Sequence, residues 1–291
     1  MPDVQKALLA WVLTACASGP APTPAAPTPA PPGPAAAAPR AGVPRVAPPL
    51  AVPGEHMHYR LSLQGIELAT YQLAIGAPTE LAGKPAVVVQ SHAKVNGIAA
   101  YLATIDDHFT SWLDPATGRT LRFTVDEYAT GSKTDIEHVV VDFAARGADT
   151  IPVTFRLGDA PEKPEPQHTA EPEVWDVNAF LVALRSWEGP PGSALSLEVF
   201  RSRYLWRCDV TIRGKERHAT ELGDLPALRI EGRTRKLDRK GAPDRESSPR
   251  AFTIWISDDE ARVPLEIKAV TDYGDLRMQI VDYQPGPGRG D

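Results

Sequence analysis

In Tyr59-Arg60-Leu61-Ser62-Leu63-Gln64, apolar and polar side chains alternate residue by residue. Successive side chains of a β-strand point to opposite faces, so this alternation is typical of a strand with one buried face. The same period of two recurs in 87–92, 139–143 and 278–280. Short turns such as Asp114-Pro-Ala-Thr-Gly118 separate these runs. Because such connections are too short for parallel crossovers, the sequence predicts a mainly antiparallel sheet.

One segment has the period of a helix instead. Its apolar residues form a single stripe: Val177, Phe180, Leu181, Leu184 and Trp187. Asp176 can accept hydrogen bonds from the first free N–H groups, and Gly189 followed by two prolines ends the pattern. The sequence therefore predicts one helix, over about 176–188, that packs on the sheet. The Pro- and Glu-rich stretch before it, 158–175, is predicted to be a flexible linker.

The linker and helix divide the predicted core, 54–284, into two β-rich halves, about 54–157 and 190–284. Phe109-Thr-Ser-Trp112 returns 143 residues later as Phe252-Thr-Ile-Trp255, and the Thr-Glu-Leu of 79–81 returns 141 residues later. Two ordered matches at nearly equal offsets favour an internal duplication. The predicted fold class is thus mainly β, with antiparallel curved sheets or a half-barrel built from two similar halves and one prominent helix.

Several motifs follow one another along this core: Gly54-Glu55 with Tyr59, Asp107-His-Phe-Thr-Ser-Trp-Leu-Asp114, and Ile254-Trp-Ile-Ser-Asp-Asp259 with Arg262-Val-Pro264. In these motifs the chain resembles the bacterial Domain of Unknown Function 3108 family, over most of 54–283. The resemblance implies an envelope protein of mainly antiparallel β structure. It implies no reaction and no catalytic residue. Ala69 stands where the family usually has glycine in the opening hairpin.

The N-terminus carries a short apolar run that ends at Leu13-Thr14-Ala15-Cys16. The run is too short to span a membrane but has the length of a signal-peptide core, which predicts a signal peptide over 1–15. The last four residues resemble the lipobox of bacterial lipoproteins. The resemblance implies that Cys16 is lipidated and anchors the protein in a membrane. Because Ala17 and not aspartate follows, it also implies the outer membrane, with the protein facing the periplasm.

The composition of the chain also predicts its disordered segments and excludes one class of partner. Residues 16–53 are dominated by Pro and Ala, and 285–291 by Pro and Gly, which predicts a disordered tether and a disordered tail. The formal net charge of -6 argues against nucleic acid as a partner. Cys208 alternates in phase with Trp206 and Val210, which predicts a buried packing role for this thiol.

Two tryptophans are the candidate ligand-binding residues. Trp112 and Trp255 are out of phase with their apolar neighbours, so they are expected on the second face of the sheet. One interpretation is that the helix or the other half buries this face too. The other is a concave aromatic surface that binds acyl chains or sugars.

No catalytic residue, metal site or cofactor is predicted. His56 and His58 lie two apart on a predicted strand and could share a metal, but the sequence offers no third ligand. Asp106-Asp107-His108 and Asp258-Asp259-Glu260 could hold calcium, but neither has the spacing of a calcium loop, which favours turn residues. The sequence also has no nucleophile elbow and no glycine-rich phosphate loop.

Together these features predict a non-enzymatic envelope lipoprotein that binds a hydrophobic or glycan envelope component, or a partner protein. Two alternatives remain open. The first is a hydrolase of envelope polysaccharide or peptidoglycan, which would need two close carboxylates in a cleft. The second is a structural or assembly factor of the outer membrane.

Overall fold

The computed structural model describes residues 50–97, 100, 104–128, 134–271 and 274–287. In these residues it has seventeen strands and one α-helix, α1 (Val177–Ser186). The strands are β1 (His56–Leu63), β2 (Ile66–Leu81), β3 (Lys84–Val95), β4 (Asp106–Leu113), β5 (Thr120–Tyr128), β6 (Ile136–Asp142), β7 (Thr150–Ile151), β8 (Val153–Leu157), β9 (Lys163–Pro164), β10 (Gln167–His168), β11 (Val174–Asp176), β12 (Ala194–Arg201), β13 (Tyr204–Thr220), β14 (Gly223–Lys236), β15 (Arg250–Ser257), β16 (Pro264–Thr271) and β17 (Gly274–Gln284).

Fifteen of these strands form one continuous sheet, in the order β11-β12-β13-β14-β15-β16-β17-β1-β2-β3-β4-β5-β6-β8-β9. Its neighbouring strands are antiparallel except for β11 and β12, which are parallel. β7 and β10 form a separate two-stranded sheet. Because the last strand, β17, pairs with the first, β1, both predicted halves belong to a single sheet. The prediction of a mainly β, antiparallel fold with one prominent helix is confirmed.

The sheet curves around α1 and stays open, because its edge strands β11 and β9 do not pair with each other. The helix packs against β3 and β4 on one side and against β11 and β12 on the other. All ten of its residues are buried, so the helix is covered on every side and not only along the predicted stripe. It therefore lies on the concave side of the sheet, between these two pairs of strands.

Buried polar groups fix the start of α1. Asp176 is fully buried, and its Oδ1 accepts hydrogen bonds from the backbone N–H groups of Asn178, at 2.8 Å, and Ala179, at 3.1 Å. The same carboxylate accepts hydrogen bonds from Ser111 Oγ on β4, at 2.7 Å, and Thr120 Oγ1 on β5, at 2.5 Å. Asp176 thus caps the helix, as predicted, and also ties it to the sheet.

A buried ion pair fixes the end of α1. Arg185 donates to both carboxylate oxygens of Glu55, each at 2.8 Å, and neither side chain is exposed. The guanidinium also donates to the carbonyl oxygens of Ala261 and Arg262. Tyr283 Oη donates to Glu55 Oε1 at 2.8 Å. Since Glu55 precedes β1 and Tyr283 lies near the end of β17, the last turn of the helix is bound to both strands.

The stretch 158–175 has more structure than the predicted flexible linker. It contains β9, β10 and the beginning of β11. Gln167 and Thr169 are buried in it. Gln167 Nε2 donates to the carbonyl oxygen of Asp238 at 2.7 Å, and Thr169 Oγ1 donates to Glu198 at 2.5 Å. These partners lie on β12 and after β14, so the amino-acid composition of the stretch alone could not reveal them.

The matching sequence segments occupy similar places in the two halves. Residues 79–81 and 220–222 lie at the tips of the β2–β3 and β13–β14 hairpins. The two Phe-Thr-x-Trp segments lie on the strands that follow these hairpins, β4 and β15. The internal duplication stays a prediction, to which this placement adds support.

Cys16, the predicted signal peptide and the tether up to residue 49 lie outside the described residues, as do residues 288–291 of the predicted tail. No helix among the described residues combines the length and the hydropathy that crossing a membrane requires. Cys208 is a fully buried free cysteine, which agrees with its predicted packing role.

Candidate functional site

The outer face of the sheet, opposite α1, carries the polar side chains of the strands. Trp112 on β4 and Trp255 on β15 both lie partly exposed on this face, where their sequence phase places them. It is not the concave surface expected for them, because the concave side is the one that holds α1. Six strand spacings separate β4 from β15, roughly 29 Å along the sheet, so the two indoles do not line one small-molecule site.

Residues paired directly across neighbouring strands form a row around Trp255. We call it the tryptophan row, and its members in sheet order are Arg229, Trp255, Glu266, Gln279, Arg60 and Thr70. Directly paired side chains of this kind are close enough to interact. The row runs from β14 to β2 and therefore crosses the β17–β1 junction between the two halves.

The tip of the β13–β14 hairpin covers part of this row. β13 has a bulge between Ile212 and Gly214, and the φ of 131° at Gly214 favours glycine. Beyond the bulge, the His218 ring stacks on the Trp255 ring with centroids 4.4 Å apart and planes 13° from parallel. Trp255 Nε1 donates a hydrogen bond to Glu216 Oε1 at 2.6 Å. The hairpin thus holds the indole in one orientation.

Glu266 is the buried charge at the centre of the site, with a side chain that is 1% exposed. Its Oε2 accepts a hydrogen bond from Gln279 Nε2 at 2.9 Å and lies 3.1 Å from His218 Nε2. Arg277 Nε lies 3.8 Å from its other oxygen. A buried carboxylate needs such partners to offset its lost hydration. Here they come from β13 and β17, which fixes the hairpin tip against the sheet.

A cavity of about 640 Å³ lies next to these partners, within the size range of small-molecule sites. Its side chains are two arginines (Arg60, Arg277), two carboxylates (Glu67, Asp275) and three neutral polar groups (Ser62, Gln64, Gln279). Arg60 Nε lies 3.0 Å from Glu67, and Arg60 also pairs with Glu221 at the hairpin tip. The cavity is therefore polar and balanced in charge, and Arg60, Arg277 and Gln279 connect it to the Trp255 site.

The structure also places two carboxylates together on the inner face. Asp107 on β4 and Glu127 on β5 lie one position beyond the paired residues His108 and Asp126, and they are 2% and 8% exposed. Burial raises the pKa of Asp107 to about 7, and the charge of Glu127 adds to the increase. Two nearby carboxylates are what glycoside hydrolysis requires. These two are enclosed, however, so a polysaccharide does not reach them in this conformation.

The two acidic segments considered for calcium, 106–108 and 258–260, do not gather their three side chains around one cation. In Asp106-Asp107-His108, the middle side chain points to the inner face and the other two to the outer face, as alternation in a strand requires. Asp259 accepts hydrogen bonds from the backbone N–H groups of Ala261 and Arg262, each at 3.0 Å, which supports the turn interpretation of 258–260.

Sequence reasoning found Trp255 but missed its surroundings: Glu216, His218, Glu266 and Gln279. The hairpin tip and β15–β17 meet only through tertiary folding, so no local pattern joins these residues. One local signal was present, since Gly214 interrupts the strand pattern of β13, and a glycine within a strand often marks a bulge.

The family model for the protein of unknown function DUF3108 matches residues 57–281, nearly the whole sheet. The chain belongs to this family. The match confirms the resemblance seen in the sequence and covers both halves of this DUF3108 protein. No curated protein matches the chain in a sequence comparison.

Solved structures are similar to this DUF3108 protein at very low sequence identity. A β-barrel-like protein of the domain of unknown function DUF1849 from Brucella abortus has a TM-score of 0.50 and 9% identity, over 80% of this chain and 98% of that one. A proposed exported protein with a YmcC-like fold from Bacteroides fragilis has a TM-score of 0.34 and 6% identity, over 80% and 96% of the chains. A proposed lipoprotein from Parabacteroides distasonis has a TM-score of 0.35 and 8% identity, over 81% and 99%. The similarity to the Brucella protein shows a common fold and nothing about ligands.

Proposed function

We propose that this DUF3108 protein is a non-enzymatic binding protein of the bacterial envelope and that its outer-face site at Trp255 binds a glycan. The observation that carries the proposal is a half-buried indole, held by His218 and Glu216, beside a polar cavity of about 640 Å³. Arg60 and Gln279 of the tryptophan row line that cavity. A fixed aromatic ring with convergent polar groups nearby is the usual composition of a small-molecule site.

The charge balance of the cavity favours a neutral, hydroxyl-rich ligand. Arg60 and Arg277 supply hydrogen-bond donors, Glu67 and Asp275 supply acceptors, and the glutamine amides supply both. A sugar hydroxyl both donates and accepts, so it can match this mixed lining. A strongly anionic ligand would meet the two carboxylates. An acyl chain would remove water from charged groups without replacing their hydrogen bonds.

Two further features disfavour the competing functions. The concave face, where an acyl chain would be enclosed, is occupied by the buried helix α1 between β3–β4 and β11–β12. The carboxylates Asp107 and Glu127, which a hydrolase could use, are enclosed on the inner face. A partner protein is the second candidate, because Ile66 and Leu222 are exposed at the β1–β2 turn and at the hairpin tip.

Replacing Trp255 by alanine is expected to weaken glycan binding about 30-fold, since a central aromatic residue of an interface typically contributes about 2 kcal/mol or more. Isothermal titration calorimetry of the purified full-length chain would measure this. The two glycan probes are soluble peptidoglycan fragments and delipidated lipopolysaccharide. Gln279→Ala provides a second variant at the cavity, in case the loss of the indole disturbs the hairpin.

Trp112→Ala is the matched control, because it removes a second outer-face indole of the described residues, six strands away. It is expected to bind the same probe as tightly as the wild type. Equal losses in the two tryptophan variants would contradict the proposal. So would a wild-type chain that binds phospholipid vesicles but neither glycan probe.

The proposed location is the outer membrane, with the core facing the periplasm. Cys16 supports it, through the resemblance of 13–16 to a lipobox and through the Pro- and Ala-rich tether that follows. Cys16→Ser is expected to leave the fold intact and to move the protein from the membrane fraction into the soluble periplasmic fraction. A variant that stays with the membranes would contradict lipid anchoring at Cys16.

A further inference from the structure

A second row of paired residues crosses the outer face beside the tryptophan row. We call it the histidine row, and its members in sheet order are His58, Gln72, His92, His108, Asp126, His138 and Arg156. The row contains four of the seven histidines of the chain. Strand pairing thus concentrates imidazole groups on one surface, although the residues are scattered along the sequence.

Two neighbouring histidines of this row form a compact group with an aspartate. The rings of His92 on β3 and His108 on β4 stack with centroids 4.1 Å apart and planes 8° from parallel. Their Nε2 atoms lie 2.6 and 3.2 Å from the same oxygen, Asp106 Oδ1. One nitrogen or oxygen atom from each of the three side chains lies within 4.8 Å of the other two. Both imidazoles therefore place a nitrogen next to the same carboxylate oxygen.

A tetrahedral transition-metal ion fits these atoms once one of the two stacked rings turns, because an imidazole nitrogen binds a metal in the plane of its ring. Zinc binds nitrogen and oxygen at about 2.0–2.2 Å, so two of its ligand atoms lie about 3.4 Å apart. The 3.2 Å between His108 Nε2 and Asp106 Oδ1 is close to this separation already. His92 Nε2, at 2.6 Å, needs to retreat by less than about 1 Å. Two imidazoles also disfavour calcium and magnesium, which prefer oxygen ligands.

The backbone places the three residues next to one another. His92 and His108 are directly paired across β3 and β4, and Asp106 lies two residues before His108 on the same face. A site on paired strands of a sheet needs little ordering when an ion binds.

The group is also accessible to an ion from solvent. Its side chains are 28%, 36% and 57% exposed for His92, Asp106 and His108. Lys94 Nζ lies 3.4 Å from Asp106, but on the other carboxylate oxygen, Oδ2. Lys94 therefore does not occupy Oδ1, and its side chain, 57% exposed, can turn into solvent when an ion binds.

We propose that His92, His108 and Asp106 bind one divalent transition-metal ion, with Zn²⁺ as the ion to test. The imidazoles supply two Nε2 ligands and the carboxylate supplies Oδ1. The position that faces solvent takes a water molecule or a group from a ligand on the outer face. The site does not depend on the Trp255 proposal. Sequence reasoning missed it because His92 lies fourteen residues before Asp106, and only the β3–β4 pairing joins them.

Calorimetric titration of the full-length chain, free of any histidine tag, with zinc chloride at neutral pH tests this site. One ion is expected to bind per chain. His92→Ala and His108→Ala are each expected to weaken binding by about 100-fold or more, and Asp106→Asn by about tenfold. X-ray absorption of the zinc-loaded chain is expected to show two imidazole ligands.

His138→Ala is the matched control. His138 belongs to the same row, and its Nδ1 lies 2.5 Å from Asp126, but it is outside the three-residue group. This variant is expected to bind zinc like the wild type, and thermal melts of each variant confirm that the fold is kept. Three results would overturn the proposal: a wild-type chain that binds no zinc, equal losses in His138→Ala, or binding that survives in the His92→Ala/His108→Ala double variant.

Discussion

Replacing Glu55 by alanine is expected to lower the free energy of unfolding by about 3–5 kcal/mol, the usual cost of removing one partner of a buried ion pair. The substitution leaves the Arg185 guanidinium without its bidentate partner in a place where it is 0% exposed. It also removes one hydrogen bond of the Tyr283 hydroxyl. The end of α1 would then lose its attachment to β1 and β17. Urea unfolding followed by circular dichroism would measure the loss.

Glu67→Ala is the control for this experiment. Glu67 pairs with Arg60 at 3.0 Å, but its side chain is 49% exposed, so the expected loss is below about 1 kcal/mol. A double variant, Glu55→Leu with Arg185→Met, is expected to recover much of the stability, because apolar groups of similar size can replace a buried ion pair. Equal, small losses for Glu55→Ala and Glu67→Ala would show that Arg185 is not enclosed.

The second large expected effect is a change of the free energy of unfolding with pH. Burial and the charge of Glu127 raise the pKa of Asp107 from 3.8 to about 7 in the folded protein. Between these values the folded chain keeps a proton on Asp107 that the unfolded chain releases. The protonated Asp107 therefore makes its full contribution to the stability of the fold below about pH 4. This contribution is lost as the pH rises through 7.

Replacing Asp107 by asparagine is accordingly expected to raise the free energy of unfolding by up to roughly 4 kcal/mol above neutral pH, with little change in acid. The neutral amide avoids the buried charge and keeps an oxygen for the backbone N–H of Tyr128, now bound at 3.2 Å. Urea unfolding at a series of pH values would measure the difference, with the exposed carboxylate of Asp159 replaced by asparagine as the control. Equal pH dependence in the wild type and Asp107→Asn would contradict the buried position of this carboxyl group.

The strands of this fold could be predicted because alternation is a local property. The run 59–63 lies in a strand, as predicted, and Asp176 caps the helix, because each of these features depends on near neighbours in the sequence. The burial of α1 on all sides could not be predicted, since an apolar stripe on a helix indicates only one covered face. The single sheet was equally hidden, because the β1–β17 pairing joins the two ends of the core.

The candidate sites likewise combine features that the sequence shows with features that only the fold shows. The outward position of Trp255 follows from its phase in the strand, which the sequence displays. Its contact with His218 depends on a bulge that bends a seventeen-residue strand over the sheet. The meeting of His92 with His108 depends on the register of β3 against β4. Composition and spacing do not specify register, so these side-chain groups became visible only in the folded chain.

The indole N–H resonance of Trp255 tests the proposed glycan site most directly. It can be followed by nuclear magnetic resonance in isotope-labelled protein while soluble peptidoglycan fragments or delipidated lipopolysaccharide are added. The Trp255 signal is expected to shift progressively, because this N–H is hydrogen-bonded to Glu216 within the site, while the Trp112 signal stays in place. A shift of Trp112 alone, or no shift of Trp255 with either glycan, would contradict a glycan site on the outer face.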